Sequence, residues 1–363
     1  MSLGVKNRIE FIDGLRGLAI LLVILFHAYA RWPEIVPYRN QFANFPIFKF
    51  GWLGVELFFL VSGFVILMTL EKCDSVSEFL FRRWLRLFPA MLISTAIIYV
   101  SATLFYERPA GSPYLEEVLP GLTFIEPTWW ARVLGHSVKP IEGSFWSIFV
   151  EFKFYVFAAI VYYWRGRKAL FVALCGAYFL TVSAIFGNAE VGIKQLEFMA
   201  KIASSMSLQY FGWFASGAAF FIYIKTSEVR WFRRAMVMAV ASAITTSGLK
   251  WQDVVATTSA AAIFGAALAS ARFQKMLTFP IFQFFGSISY PLYLIHQNIM
   301  ISLIVKLGKN FGLIPLLFLP VLPIAFLSGV AFLIAKYGEP YVKFKITSFL
   351  SFSKSAKICF RRR

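Results

Sequence analysis

Charge is scarce in this chain: only 15% of its 363 residues are Asp, Glu, Lys or Arg, and 18 are acidic. Histidine and cysteine are scarcer still, with three of each. Against that, 59% of the residues are hydrophobic, 42 are phenylalanine, and mean hydropathy is +0.69. So few charges cannot cover so much apolar surface in water, which excludes a soluble globular domain. Cys73, Cys175 and Cys359 are odd in number and lack metal-ligand spacing, so neither a disulfide framework nor a metal site is expected. Internal repeats, low-complexity linkers and breaks in composition are also missing. The expected organisation is a single membrane domain over residues 1–340 and a basic amphipathic cytoplasmic tail over 341–363.

What the chain does have is apolar runs of spanning length. They fall at 15–31, 52–70, 88–106, 144–164, 168–186, 208–224, 235–249, 254–271, 284–305 and 313–335. An all-α polytopic membrane protein of about ten transmembrane helices follows from the length of hydrocarbon a helix must cross. The first run carries Arg16 and His27 and no small-residue cleavage site follows it, so it is expected to remain in the mature protein. Lys and Arg are about twice as frequent on one set of loops as on the other, which places both termini in the cytoplasm. The formal charge of +18 is then read as orientation and contact with anionic membrane lipids, with no nucleic acid implied. The longest polar stretch, from Glu107 to Gly143, is expected outside, long enough to cover or line a site.

Ionisable residues carried into lipid are costly, and four separate runs carry one. Arg16 and His27 lie eleven residues apart in the first run, which puts them on one helical face about 16 Å apart in rise. His296 sits about twelve residues past the inner boundary of its own run, while Glu56 and Glu151 enter from the outer side. Overlapping depth of four titratable groups points to a shared polar cavity. At the cytoplasmic boundary, Arg82, Arg83 and Arg86 form a basic cluster in which Arg83 and Arg86, three apart, are expected to face the same way. Guanidinium forks of this kind suit phosphate oxygens. Each residue also has a plainer reading: the arginines as an orientation signal, His27 as an interhelical hydrogen-bond partner, Glu56 as a neutraliser of Arg16, and Lys153 as a partner for Glu151. His136, in the outer loop, is expected to be solvated.

The motifs resemble the membrane-bound acyltransferase 3 family. The likeness rests on Arg16 and His27 with ten residues between them after Phe11-Ile12-Asp13-Gly14-Leu15, and on Gly54-Val55-Glu56-Leu57-Phe58-Phe59. It extends through Arg83-Trp84-Leu85-Arg86-Leu87-Phe88-Pro89, Phe145-Trp146-Ser147-Ile148-Phe149-Val150-Glu151 and Ser287-Ile288-Ser289-Tyr290-Pro291-Leu292-Tyr293-Leu294-Ile295-His296. These occur in order over nearly the whole chain. The resemblance implies a ten-helix enzyme of the bacterial inner membrane that moves an acetyl group from cytosolic acetyl-CoA to a hydroxyl of a glycan. Exopolysaccharide, a lipid-linked saccharide or a lipochitooligosaccharide is the expected acceptor. By the same likeness His27 is catalytic, Arg16 is its motif partner, and Arg83 and Arg86 are the inner-face basic pair. Some relatives add a soluble hydrolase-like domain; here transfer is expected to be completed by the membrane domain or by a separate partner.

Together these expectations give a donor held by Arg16, Arg82, Arg83 and Arg86, with its thioester at His27. Oriented by Glu56 or Glu151, His27 would either deprotonate an acceptor hydroxyl arriving from outside or accept the acetyl group transiently, and His296 would shuttle a proton. Ser289, Tyr290 and Tyr293 are expected to donate to the developing oxyanion, with Trp146 counted beside them on the substrate side. The alternative function is a proton-coupled transporter using the same His and Glu groups as a relay; the absence of inverted repeats and of paired broken helices speaks against it. A homo-oligomer is compatible with the sequence.

Overall fold

A computed structural model describes residues 5–191, 194–247, 250–310 and 315–352. The last eleven positions of the expected tail, Cys359 among them, lie outside the described residues. Helix is the only regular element among those described. The long helices are α1 (Val5–Tyr29), α2 (Leu53–Leu70), α3 (Val76–Ser101), α4 (Trp146–Val191), α5 (Phe211–Thr226), α6 (Val229–Ser247), α7 (Trp251–Ala269), α8 (Pro280–Asn310), α9 (Val321–Leu333) and α10 (Glu339–Phe352). Only internally paired backbone can cross lipid, so this all-helical architecture is what the apolar runs demand.

Seven helical segments among the described residues are long and apolar enough to span. One of them, Gly143–Phe186, runs through a break at Gly166, whose φ of 79° and ψ of −176° lie where only glycine is comfortable. It therefore counts as the two spans expected at 144–164 and 168–186. Helix α5 has 16 residues, about 24 Å of rise, and α6 opens with Arg230, Arg233 and Arg234. Those two fall short of the spanning criteria by length and by charge, and with them the helices match the ten expected.

Boundaries moved where hydropathy is blind to helix that continues past lipid. Helix α3 begins at Val76 instead of 88, so the arginine cluster rides on its first turns, and it passes through Pro89. Helix α8 likewise overruns its expected 284–305 at both ends and passes through Pro291. A π-helical turn, Ile334–Gly338, joins α9 to α10, so the part of the expected tail up to Phe352 prolongs a helix. The outer stretch is short helical pieces, Leu115–Val118, Leu119–Thr123 and Pro127–Leu134.

The chain divides into two compact units. The first comprises residues 1–23, 52–80 and 150–286. Here α2 packs on α5, α5 on α6, and α7 on both α2 and α6. The α2–α5 contact is glycine on backbone from both sides: a Cβ at Gly63 would stand 2.2 Å from the Phe214 carbonyl oxygen, and one at Gly217 would stand 2.1 Å from that of Leu60. Such close approach lets helices without a hydrophobic driving force gain dispersion contact. Ala260, Ala261 and Ala267 of α7 are buried as well. At one end of this unit Glu71 bridges Arg167 (3.3 Å) and Lys225 (3.2 Å).

The second unit comprises residues 24–51, 81–149 and 287–363. Its core is α8, where Ile288, Leu292, Leu294, Ile295, Met300, Ile301 and Ile304 are at most 1% exposed. Helix α3 contributes a stripe of Leu87, Ala90, Met91, Ser94 and Ile98 at helical spacing. Tyr290 of α8 donates to the Leu87 carbonyl of α3 at 3.2 Å.

Gly63→Ala and Gly217→Ala each place a methyl against backbone that cannot yield, and are expected to cost about 1–3 kcal/mol. Gly176→Ala, which meets nothing within 4 Å, serves as the control. Thermal unfolding in detergent should fall for the first two and not for the third.

Candidate active site

Two of the three histidines meet. His296, fully buried on α8, approaches His27 of α1 with Nε2 3.3 Å from Nδ1 and ring centroids 4.8 Å apart, nearly perpendicular. The Nδ1 of His296 lies 2.8 Å from the Tyr293 carbonyl oxygen. A carbonyl oxygen only accepts, so Nδ1 of His296 carries a proton. In the neutral pair Nε2 of His296 is then the acceptor, His27 donates from its Nδ1, and the lone pair of His27 is on Nε2. The tautomers are assigned from this hydrogen-bond pattern. Chemically, the arrangement is a base whose orientation and tautomer are held by a second imidazole.

The residues around the pair are more committed than expected. The Tyr293 hydroxyl donates to the Ser144 carbonyl at 3.0 Å and lies 2.7 Å from Ser147 Oγ, while Ser144 Oγ donates to the Tyr293 carbonyl at 3.3 Å. Tyr290 is engaged by Leu87, as described above. Both phenols thus serve helix packing in this structure, and an oxyanion role would require them to leave those acceptors. Ser289 is fully buried, and Trp146 at the start of α4 is 39% exposed.

Sequence reasoning missed the polar lock immediately after His296. Glu142, fully buried in the turn before α4, accepts from the Asn298 main-chain N–H at 2.7 Å and from Asn298 Nδ2 at 2.6 Å. Asn298 Oδ1 accepts from the Ala110 N–H at 3.1 Å, and Asn298 Nδ2 also reaches the Ile141 carbonyl at 3.3 Å. Arg108, 5% exposed, donates to that same carbonyl. Burial pushes the Glu142 carboxyl up to about 7 despite the donors of Asn298 and the charge of Arg108, and burial lowers Arg108, opposed by Glu142 and Glu117. Asn298 was findable by the signal that exposed His296, a polar residue inside an apolar run. Glu142 was hidden because it ends a loop.

The two carboxylates expected to orient His27, Glu56 and Glu151, belong to the first unit. Glu151 accepts from Ser62 Oγ and from the Tyr155 hydroxyl, both at 2.6 Å. Glu56 is 4% exposed, and its Oε2 has no hydrogen-bond partner among the described residues. The hydrogen-bond partner described for His27 is the imidazole of His296. Lys153 donates to the Ser205 carbonyl (2.6 Å) and Ser207 Oγ (3.1 Å). Arg16 lies 3.6 Å from Asp13, one turn away on α1.

The arginine cluster divides differently from the expected Arg83–Arg86 pair. Arg83 is 6% exposed and heads the buried stripe of α3 four residues before Leu87, whereas Arg82 and Arg86, four apart, are exposed. Residues at i and i+4 are neighbours on a helix surface, so Arg82 and Arg86 form the exposed pair of the cluster. A second basic region is a cavity of about 520 Å³ in the first unit, lined by Lys168, Phe171, Arg230, Trp231 and Arg234. Among the described residues no group of three His, Cys, Asp or Glu is placed to hold a metal ion.

A family profile described as an acyltransferase domain matches residues 9–337. Among curated proteins, the peptidoglycan O-acetyltransferase OatA of Listeria monocytogenes is 28% identical over 165 residues, 42% of this chain and 24% of OatA. BcsY of Komagataeibacter xylinus, a proposed membrane-bound transacylase, is 28% identical over 187 residues, 50% of this chain and 42% of BcsY. The chain thus spans less than half the length of these curated relatives. No solved structure matches it. With its motifs in order, its spans and a profile match over nearly its full length, the chain belongs to the acyltransferase 3 family of multi-pass membrane proteins.

Proposed function

We propose that this acyltransferase moves an acetyl group from cytosolic acetyl-CoA to a hydroxyl of a glycan, such as exopolysaccharide, a lipid-linked saccharide or a lipochitooligosaccharide, at the bacterial inner membrane. The observation that carries the proposal is the His27–His296 hydrogen bond, which leaves a lone pair on Nε2 of the histidine in the family motif. Membership of an acyltransferase family favours this reading over the proton-coupled transporter. The Listeria relative is a peptidoglycan O-acetyltransferase, which supports a glycan as acceptor.

In the proposed reaction, His27 Nε2 takes the proton of the acceptor hydroxyl as its oxygen attacks the thioester carbonyl. The tetrahedral intermediate collapses with cleavage of the carbon–sulfur bond. The departing thiolate takes the proton from the imidazolium, so that ester and free thiol are the products. Polarisation of His27 by the His296 acceptor is strongest when Nε2 is being protonated, because the developing charge strengthens the Nδ1–H bond to His296. Arg82 and Arg86 hold donor phosphates, and Arg16 stands on the donor side of the same helix as His27.

His27→Ala should lower acetyl transfer from radiolabelled acetyl-CoA by about 10² to 10⁴-fold at unchanged protein level. Near-normal transfer would remove the mechanism. Arg82→Ala and Arg86→Ala should raise the KM for acetyl-CoA while kcat changes little, whereas Arg83→Ala, at a buried position, should lower stability in detergent. An unchanged KM in the first two, with a raised KM in Arg230→Ala or Arg234→Ala, would move the phosphate site to the basic cavity.

A further inference from the structure

The main-chain N–H of Asn298 lies within a helix, where such groups ordinarily point along the axis to the carbonyl four residues back. Here it reaches the carboxylate of Glu142 in another segment, at 2.7 Å. One turn earlier, the Tyr293 carbonyl accepts from the His296 side chain and from Ser144. Pro291, two residues before that, removes a ladder donor and crowds the preceding turn. The stretch from Tyr293 to Asn298 is therefore a helical turn whose polar groups are partly diverted, with Glu142 taking the Asn298 N–H at one end and His296 taking a carbonyl at the other.

We propose that Glu142 is a positioning residue for the histidine pair: by accepting from Asn298 it holds this turn of α8 open, which presents the Tyr293 carbonyl to His296 and so sets the protonation pattern of His296 and His27. The proposal rests on the acyl-transfer reading above. Glu142 reaches its place because Arg108 and Ile141 tie the outer segment beneath it and the Ala110 N–H fixes the Asn298 amide from the other side. With asparagine at 298, a carboxylate suits position 142 because both atoms it faces there are donors. Its buried charge is balanced by Arg108 and needs those donors to be tolerable.

Two substitutions made together reverse the donor and acceptor pattern and leave the number of charges unchanged. Glu142→Gln alone sets an amide against the Asn298 amide, and Asn298→Asp alone sets two carboxylates together. In the double variant the amide at position 142 can donate to the carboxylate at position 298 and still accept from the main-chain N–H there. The full chain is purified in detergent with each single substitution and with both. Thiol release from acetyl-CoA and acceptor labelling give kcat and KM. Labelling with [15N]histidine gives the tautomers of the three imidazoles, assigned with His27→Gln, His136→Gln and His296→Gln variants.

In each single variant kcat should fall about tenfold or more, the loss expected when a buried charged hydrogen bond is broken. KM for acetyl-CoA should stay within about twofold, since no donor contact changes. The Nδ1-protonated signature of His296 should give way to mixed tautomers. The double variant should recover most of the rate and the original signature. Unchanged tautomers and kcat in Glu142→Gln, or a double variant no better than the worse single one, overturns the positioning role. Tautomers that shift and recover as expected in a protein with no acyl transfer at all would support the positioning role and overturn the acyl-transfer reading instead.

Discussion

A polar group inside a bilayer has no water to fall back on, so a partner within the protein is worth most there, and this constraint organises much of the molecule. Backbone groups meet it by helix formation throughout. Side chains meet it in pairs and networks: Glu151 with Ser62 and Tyr155, His27 with His296, Glu142 with Asn298. What distinguishes the histidine pair from the others is that its members are both able to take up and give away a proton, while the surrounding hydroxyls are held by carbonyls.

That contrast bears on how the site would work. Tyr293 and Tyr290 anchor α8 to the start of α4 and to α3, which makes the bed on which His296 rests rigid. Rigidity is what a general base needs, because proton transfer depends on distances of a few tenths of an ångström. The outer segment, by way of Arg108, Glu142 and Asn298, bears on the same helix from the other side. A stretch that reads as a loop is thereby a structural part of the α8 turn that carries the histidine.

Much of this was legible from residues alone. The ten apolar runs each correspond to a helix, and the expected depth of His27 and His296 is consistent with their meeting. The partner assignments were less accessible. Glu56 and Glu151 were expected at the depth of His27, yet Glu151 is satisfied by Ser62 and Tyr155. Arg83 and Arg86 are three apart in sequence, yet burial separates them, since Arg83 falls on the apolar stripe of α3 and Arg86 does not.

Hydropathy, motif spacing and charge asymmetry in the sequence determined that the chain is an all-helical membrane protein of the acyltransferase 3 family, with ionisable groups at membrane depth. They could do so because spanning lengths and the cost of charge in lipid are properties of each segment by itself. Only the tertiary structure decided which group pairs with which. Hydrogen bonds form over about 3 Å between residues separated by more than two hundred positions, as His27 and His296 are, and rotation of a helix by a single residue would have chosen other partners.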